Sequence, residues 1–334
     1  MKLIRTANQL APGNKKVCLA IGVFDGVHLG HQQIIRQTVA DARQHDGLAL
    51  VVTFDQHPTV IVAPDRVPPL IYSHPQKLRT IKSLCADALL EIHFDKGFSQ
   101  LTGETFIRGL VQDLCSGGAR LCEPQQVQSN EAAAGHRPAF QSRVQSICVG
   151  ADFVFGNKRS GNVALLKTLG AELQFTVHGM AEVSLDGKVV SSTRIREAIR
   201  AGDFDAASQM LGRAYSFAGL VVHGDKIGHK LGFPTANLDT TGLLLPPNGV
   251  YAAHACVAKK SYRAVLNIGH RPTVNQPAPQ LRVEVHLLDF AGDLYGQEVE
   301  VTFAAKLRDE QKFPSVEALR EQIVRDITEA RKRF

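Results

Sequence analysis

"KVCLAIGVFDGVHLGHQQII" (residues 16–35) runs from an unbroken apolar stretch through a glycine-rich turn into an amphipathic pattern. In a parallel α/β sheet this is where a strand passes to its crossover helix, and where backbone N–H groups are presented to a bound anion. Gly22, Gly26 and Gly30 allow close approach, but the spacing is not G-x-G-x-x-G, and the turn carries His28 and His31 instead. Imidazoles donate hydrogen bonds, and a charge when protonated, to oxygens that gain negative charge during phosphoryl attack. The turn therefore points to nucleotidyl transfer and away from dinucleotide binding. For either histidine alone, a helix cap or a packing role is the favoured reading.

The same grammar continues on both sides of the turn. Apolar runs at 48–54, 88–94, 144–150 and 171–179 read as strands, and helical patterns cover 75–85, 103–114 and 161–169. Such alternation predicts a Rossmann-like parallel sheet with crossover helices. Between Cys115 and Arg143 the chain loses apolar periodicity and reads as a long loop. Short helices over Thr193–Ala201 and Phe204–Leu211 follow. From Tyr215 onward, alternating runs separated by turn residues predict an antiparallel β-barrel, closed by a terminal helix that Ser315 opens. The pattern changes near residue 212, so the expected domains are 1–212 and 213–334.

Composition limits the partners. The 334 residues are 44% hydrophobic and 21% charged, and no run approaches the roughly 20 apolar residues of a membrane span. The first residues lack the apolar stretch of a secretory signal. Six cysteines occur without a Cys-x-x-Cys pair, so neither a zinc site nor a disulfide framework is expected, and a cytosolic protein with reduced thiols is. The net charge of +6 comes from basic residues dispersed among acids, apart from the terminal "RKRF". That suits a phosphate-bearing small molecule better than nucleic acid or a membrane.

A second stretch carries chemistry of its own. "GDKIGHKLGFPTANL" (224–238) follows a strand and combines glycines with Thr235 and Asn237. A hydroxyl and an amide oxygen are hard ligands suited to Mg²⁺, which takes few protein ligands and completes its shell with phosphate and water. Nearby glycines let backbone N–H groups reach phosphates. By residue type alone, the stretch is also an ordinary glycine-rich β-loop.

Taken together, G-x-F-D-G-x-H-x-G-H (22–31), "TFDQHP" (53–58), "GADFVFGNKRSG" (150–161), "SSTRIR" (191–196), G-F-P-T-A-N (232–237), "NIGHRPT" (267–273), "EVHLLDF" (284–290), "GDLYG" (292–296) and "LRDEQKF" (307–313) span most of the chain. In these motifs it resembles the bacterial bifunctional riboflavin kinase/FAD synthetase family. The resemblance implies two transferase reactions with ATP, riboflavin and FMN as substrates and Mg²⁺ as cofactor. The 5′-hydroxyl of riboflavin takes the γ-phosphate of ATP, and the FMN phosphate then attacks the α-phosphate of a second ATP.

It also assigns residues. Gly22, Phe24, Asp25, His28, Gly30 and His31 surround the ATP phosphates, with Asp152 near the nucleotide. Ser192, Thr193 and Arg196 hold phosphate beside the reacting centre. In the barrel, Gly228 and Lys230 bind phosphate, Thr235 and Asn237 hold Mg²⁺, Glu284 is the base, and Arg308 and Phe313 close over flavin. Without the family, Ser192 and Thr193 read as helix caps, Arg196 as a surface residue, Asp152 as a turn acid, Phe155 as a core aromatic and Glu284 as a solvent-facing strand residue.

Two positions depart from the family pattern. Gln56 replaces the proline of Asp-Pro-His-Pro, and His229 replaces an arginine, with Lys230 beside it to compensate. A flavin-binding regulator with degenerate catalysis is the alternative reading, and self-association is left open.

Overall fold

The computed structural model describes residues 1–10, 15–116, 142–224, 228, 231–271 and 280–334. The segment at 115–143 therefore lies almost wholly outside the described residues, as do His229 and Lys230. By packing, the chain forms two compact units, Met1–Pro68 with Lys77–Ser191, and Pro69–Gln76 with Ser192–Phe334.

The first unit is built on strands β1 (Lys2–Ile4), β2 (Val17–Ile21), β3 (Leu48–Phe54), β4 (Ala88–Ile92), β5 (Val144–Gly150) and β6 (Thr176–Met180). They form one parallel sheet in the order β1-β4-β3-β2-β5-β6. All five residues of β2 are buried, the mark of a strand covered on both faces, which is why its sequence shows no alternation. Helices α1 (Leu29–Gln44), α2 (His74–Ser83), α3 (Gly103–Ser116) and α4 (Val163–Leu173) make the connections. The order reverses between β2 and β5, and the carboxyl ends of these two neighbours frame the crevice where open α/β sheets take ligands.

The strand expected over 171–179 starts later. Asn162 Oδ1 accepts from Leu165 N at 2.9 Å and caps α4, which continues to Leu173 and ends on Gln174 in the left-handed region (φ 60°). Only from Thr176 is the chain extended. The three-residue strand β1 is too short to carry a periodic signal.

In the second unit, α5 (Ser192–Ala201) and α6 (Phe204–Leu211) precede β7 (Ser216–Val222), β8 (Ala236–Asp239), β9 (Gly249–Val257), β10 (Lys260–Arg271), β11 (Gln280–Leu287) and β12 (Glu298–Arg308). The strands close into an antiparallel barrel, β7-β8-β11-β10-β9-β12 and back to β7, which leaves no open sheet edge. Phe217, Tyr251, Leu266, Ile268, Val285 and Val301 fill its core. Helix α7 (Val316–Arg331) follows, its Ala318 N donating to Ser315 Oγ at 3.2 Å as the sequence predicts.

Strand β8 begins inside the stretch that reads as a glycine-rich loop. Helices α5 and α6 group with the barrel, so the compact unit begins before residue 212. Phe204 of α6 stacks on Phe303 of β12, with ring centroids 4.4 Å apart. Pro69–Gln76 belongs to this unit too, with Leu70 N donating to Gly242 O and Leu244 N to Leu70 O, both at 2.8 Å.

Candidate active sites

At the carboxyl end of β2 the backbone turns sharply. Phe24 (φ 54°) and Val27 (φ 42°) adopt the left-handed region, a conformation that costs non-glycine residues about 1–3 kcal/mol each and concentrates at functional sites. The turn places His28 as the N-cap of α1, where its Nδ1 accepts from His31 N at 3.5 Å. The two imidazoles stack with centroids 3.6 Å apart and planes 21° apart. The Phe24 ring meets His31 edge-on at 5.3 Å. A Cβ at Gly22 would lie 2.9 Å from the Phe24 ring, so any larger residue there has to displace the ring.

His31 Nδ1 is buried without a hydrogen-bond partner. Burial, and secondarily the neighbouring His28, pushes the His31 imidazole well below the ordinary histidine range. In the protein alone this ring is neutral at pH 7, with a nitrogen left for a ligand. A cavity of about 400 Å³ is lined by Gly22, Phe24, His28, Gly30, His31, Asp152 and Ser191. Six of the residues expected around the nucleotide are thus together, and Ser191 joins them. Asp25 is buried but is not part of this lining.

Ser192, Thr193 and Arg196 begin α5, in the second unit. Arg196 is not the surface residue its type suggests. It is buried, and its Nε donates to Pro69 O at 2.8 Å.

Sequence reasoning missed a larger cavity, of about 910 Å³, walled by Phe54, Phe94, Phe98, Phe106, Phe153 and Phe155. It shares Ile21, Val23, Phe153 and Val154 with the histidine cavity. The rings form a chain of contacts, Phe54–Phe94 at 5.3 Å, Phe94–Phe98 at 5.4 Å, Phe98–Phe106 at 5.6 Å and Phe106–Phe155 at 6.1 Å. Phe155, expected in the core, packs against the core and also walls this cavity. The available signal was positional, since Phe54, Phe94, Phe153 and Phe155 all fall at or just past the carboxyl end of a strand.

In the barrel, a cavity of about 290 Å³ gathers Gly228, Thr235, Asn267, Glu284, Arg308 and Phe313. A second, of about 590 Å³, is lined by Pro234, Thr235, Asp293, Leu294 and Tyr295. Thr235 lines both. Asn237 stands opposite Glu284 in the β8–β11 register, and Glu284 stands opposite Asn267 in the β10–β11 register. Asn237 itself lines a neighbouring cavity with His223 and Gly224.

Two glycines leave little space, Gly228 against backbone and Gly224 against a side chain. A Cβ at Gly228 would sit 2.5 Å from Phe233 O, and one at Gly224 would overlap the Asn237 amide. Arg308 donates to Asp326 of α7 through Nε at 3.0 Å and Nη2 at 2.8 Å, with its guanidinium 5.6 Å from the centre of the Phe313 ring. The arginine is therefore oriented before any ligand arrives. Lys230 lies outside the described residues.

Among the described residues, no group of three or more His, Cys, Asp or Glu is arranged to hold a metal. Thr235 and Asn237 offer neutral oxygens only, a donor set that fits a hard cation completed by phosphate and water and does not fit zinc.

Residues 11–116 and 139–194 match the family model described as FAD synthetase, and residues 211–334 match the one described as riboflavin kinase. The "Bifunctional riboflavin kinase/FMN adenylyltransferase" of Escherichia coli (strain K12) is 34% identical over 336 residues, covering 100% of this chain and 98% of the relative. The protein of the same name from Pseudomonas fluorescens is 35% identical over 331 residues, covering 99% and 97%. The crystal structure of a Streptococcus pneumoniae protein described as a macrolide-efflux protein matches with a TM-score of 0.75 at 27% identity, over 98% of both chains. No described helix of this chain is long and apolar enough to cross a membrane.

Proposed function

The chain belongs to the bifunctional riboflavin kinase/FMN adenylyltransferase family, and from that premise we propose which of its residues carry each reaction. It phosphorylates riboflavin with ATP to FMN and adenylylates FMN with ATP to FAD and pyrophosphate. The observation that carries our assignment recurs in both units. In each, a cavity walled by aromatic side chains adjoins a second cavity, through Ile21, Val23, Phe153 and Val154 in the first unit and through Thr235 in the barrel.

In the barrel, ATP occupies the cavity of Tyr295 and Leu294, and riboflavin enters the one walled by Phe313, so the γ-phosphate and the 5′-hydroxyl meet at Thr235. Glu284 accepts the hydroxyl proton, and Arg308 with Phe313 bounds the flavin. Gly228 N–H and Lys230 contact phosphate. Thr235 and Asn237 would hold Mg²⁺, which offsets charge on the transferred group when bound.

In the first unit, the flavin ring of FMN lies in the phenylalanine cavity and its phosphate points through the shared wall to the histidine cavity. His28 and His31 donate hydrogen bonds to the ATP phosphates, and a nearby anion raises the proton affinity of His31 as charge builds. Gly22, Gly30, Phe24 and Asp25 shape the turn, and Asp152 contacts the nucleotide. The FMN phosphate attacks the α-phosphorus and pyrophosphate leaves, with no covalent enzyme intermediate. Such transfers depend mainly on positioning and charge stabilisation.

We place the division between the activities near residue 212 and the protein in the cytoplasm, where its thiols stay reduced. Purified protein given riboflavin and Mg-ATP, sampled by chromatography, should yield FMN first and FAD later, and chelating the metal should stop both. Bound flavin with no ATP turnover would instead identify a flavin-binding regulator.

A further inference from the structure

Backbone pairing between β3 and β4 ends with Phe54 opposite Ile92, after which Asp55 N still donates to Ile92 O at 3.1 Å. Beyond that point side chains take over the ladder. Phe94 N donates to Asp55 Oδ1 at 3.1 Å, and Gln56 Nε2 donates to Phe94 O at 2.8 Å. Both backbone polar groups of Phe94 are thus held by two consecutive side chains. The other Asp55 oxygen pairs with His93 Nδ1 at 2.5 Å.

What these bonds fix is a ring. Phe94 is buried, meets Phe54 edge-on at 5.3 Å and lies 5.4 Å from Phe98, and all three wall the 910 Å³ cavity. Past the end of a ladder, a residue whose N–H and C=O lack partners samples several backbone states, and aromatic contacts depend on offsets of an ångström. We propose that Asp55 and Gln56 are positioning residues that hold the Phe54–Phe94–Phe98 wall and thereby set the affinity of the adenylyl-transfer site for the flavin ring of FMN. The inference rests on the reading that flavin occupies this cavity.

Gln56 contributes a donor that proline, the residue the family usually has there, does not possess. This chain therefore adds a bond to the wall at the position where it departs from the pattern.

The charges around the clamp give it a pH signature. Burial works against the Asp55 carboxylate, yet hydrogen bonds from His93 and from the Phe94 and Gln56 N–H groups hold it below the ordinary range, and Lys77 also faces it. The hydrogen bond to Asp55 holds His93 above the ordinary histidine range, with Asp95 adding to this and Arg5 opposing it. The ion pair is complete between these two values. It is lost as pH rises through the raised His93 value, while Asp55 keeps accepting from Phe94 N.

The test is steady-state FAD formation by the full chain, varying FMN and ATP separately, with riboflavin phosphorylation measured in parallel. Gln56→Ala should raise KM for FMN about five-fold, the factor lost with one hydrogen bond, and leave kcat, KM for ATP and riboflavin phosphorylation within about two-fold. Gln56→Glu, of the same shape but with oxygen facing the Phe94 carbonyl, should raise it further. The wild type should show a rise of about two-fold in KM for FMN on the alkaline side, as expected for an exposed pair, and Asp55→Asn should abolish that pH dependence. Phe98→Ala tests the cavity itself and should raise KM for FMN at least ten-fold, within the range for a buried aromatic anchor. An unchanged KM in Gln56→Ala beside a raised one in Phe98→Ala overturns the positioning role and leaves the cavity assignment standing. An unchanged KM in Phe98→Ala overturns both, and a fall in kcat alone in Gln56→Ala overturns the positioning role.

Discussion

Replacing Gly22 by alanine should separate the two activities through one methyl group. Its Cβ would lie 2.9 Å from Cε1 and Cζ of Phe24 and 3.3 Å from Cδ1, whereas carbon atoms in good contact sit about 3.5–4.0 Å apart. The ring must therefore retreat by roughly 0.6–1 Å. It has little room to do so, because Phe24 is buried and its backbone is held in the left-handed region. Overpacking of this kind costs about 1–3 kcal/mol. The edge of the ring rests on His31, which stacks on His28, so the displacement passes directly to both imidazoles. Misplacing reacting groups by about 1 Å costs up to about 10²-fold in rate. Gly22→Ala should therefore lower FAD formation from FMN and ATP by about 10- to 100-fold and leave riboflavin phosphorylation intact, both read by chromatography on one preparation. Leucine at 24 lacks Cε1 and Cζ. In a Phe24→Leu background the added Gly22→Ala should cost little more, a coupling of about 1–2 kcal/mol in a double-mutant cycle. Undiminished FAD formation in Gly22→Ala, or an equal loss in both backgrounds, would refute the contact chain from Gly22 to the histidines.

Glu284→Gln removes the proposed base and should slow FMN formation about 10²- to 10⁴-fold, with FAD formation from supplied FMN unchanged; equal loss of both products would point to misfolding. His31 gives a stability prediction whose sign follows from its lowered pKa. Between the folded value and the ordinary value of about 6.5, the unfolded chain binds the extra proton, so the contribution of His31 is complete above that range and is lost as pH falls through it. Urea unfolding midpoints of the wild type should decline below about pH 6.5 more steeply than those of His31→Gln, and parallel declines would contradict the buried, neutral imidazole.

The sequence made the parallel sheet legible because runs such as Val17–Ile21 are apolar throughout, and the barrel legible because its strands alternate. Strands β1 and β8 escaped, since three or four residues carry no period and β8 is written in turn residues. His28 and His31 stood out because histidines are rare between glycines. The phenylalanine cavity did not, because an aromatic lining a void and one filling a core are the same letter, and only the fold distinguishes them. The placement of Ser192, Thr193 and Arg196 in the second unit was equally hidden. It depends on contacts such as Phe204 on Phe303, which no local pattern records.

The segment Pro69–Gln76 has a consequence for the gene. It is encoded between two strands of the first unit's sheet yet packs as part of the second. Besides the Leu70 bonds, Arg213 Nε donates to Tyr72 Oη at 2.9 Å, and Gln76 Nε2 donates to Ser216 Oγ at 3.0 Å. The barrel unit is therefore not a contiguous stretch of message. A shortened gene starting at codon 213 leaves Arg213 and Ser216 without these partners, and one ending at codon 191 leaves an eight-residue strap with nothing to bind. Recombination that shuffles the halves between relatives has to carry both parts of the interlock, which ties the inheritance of the two activities together.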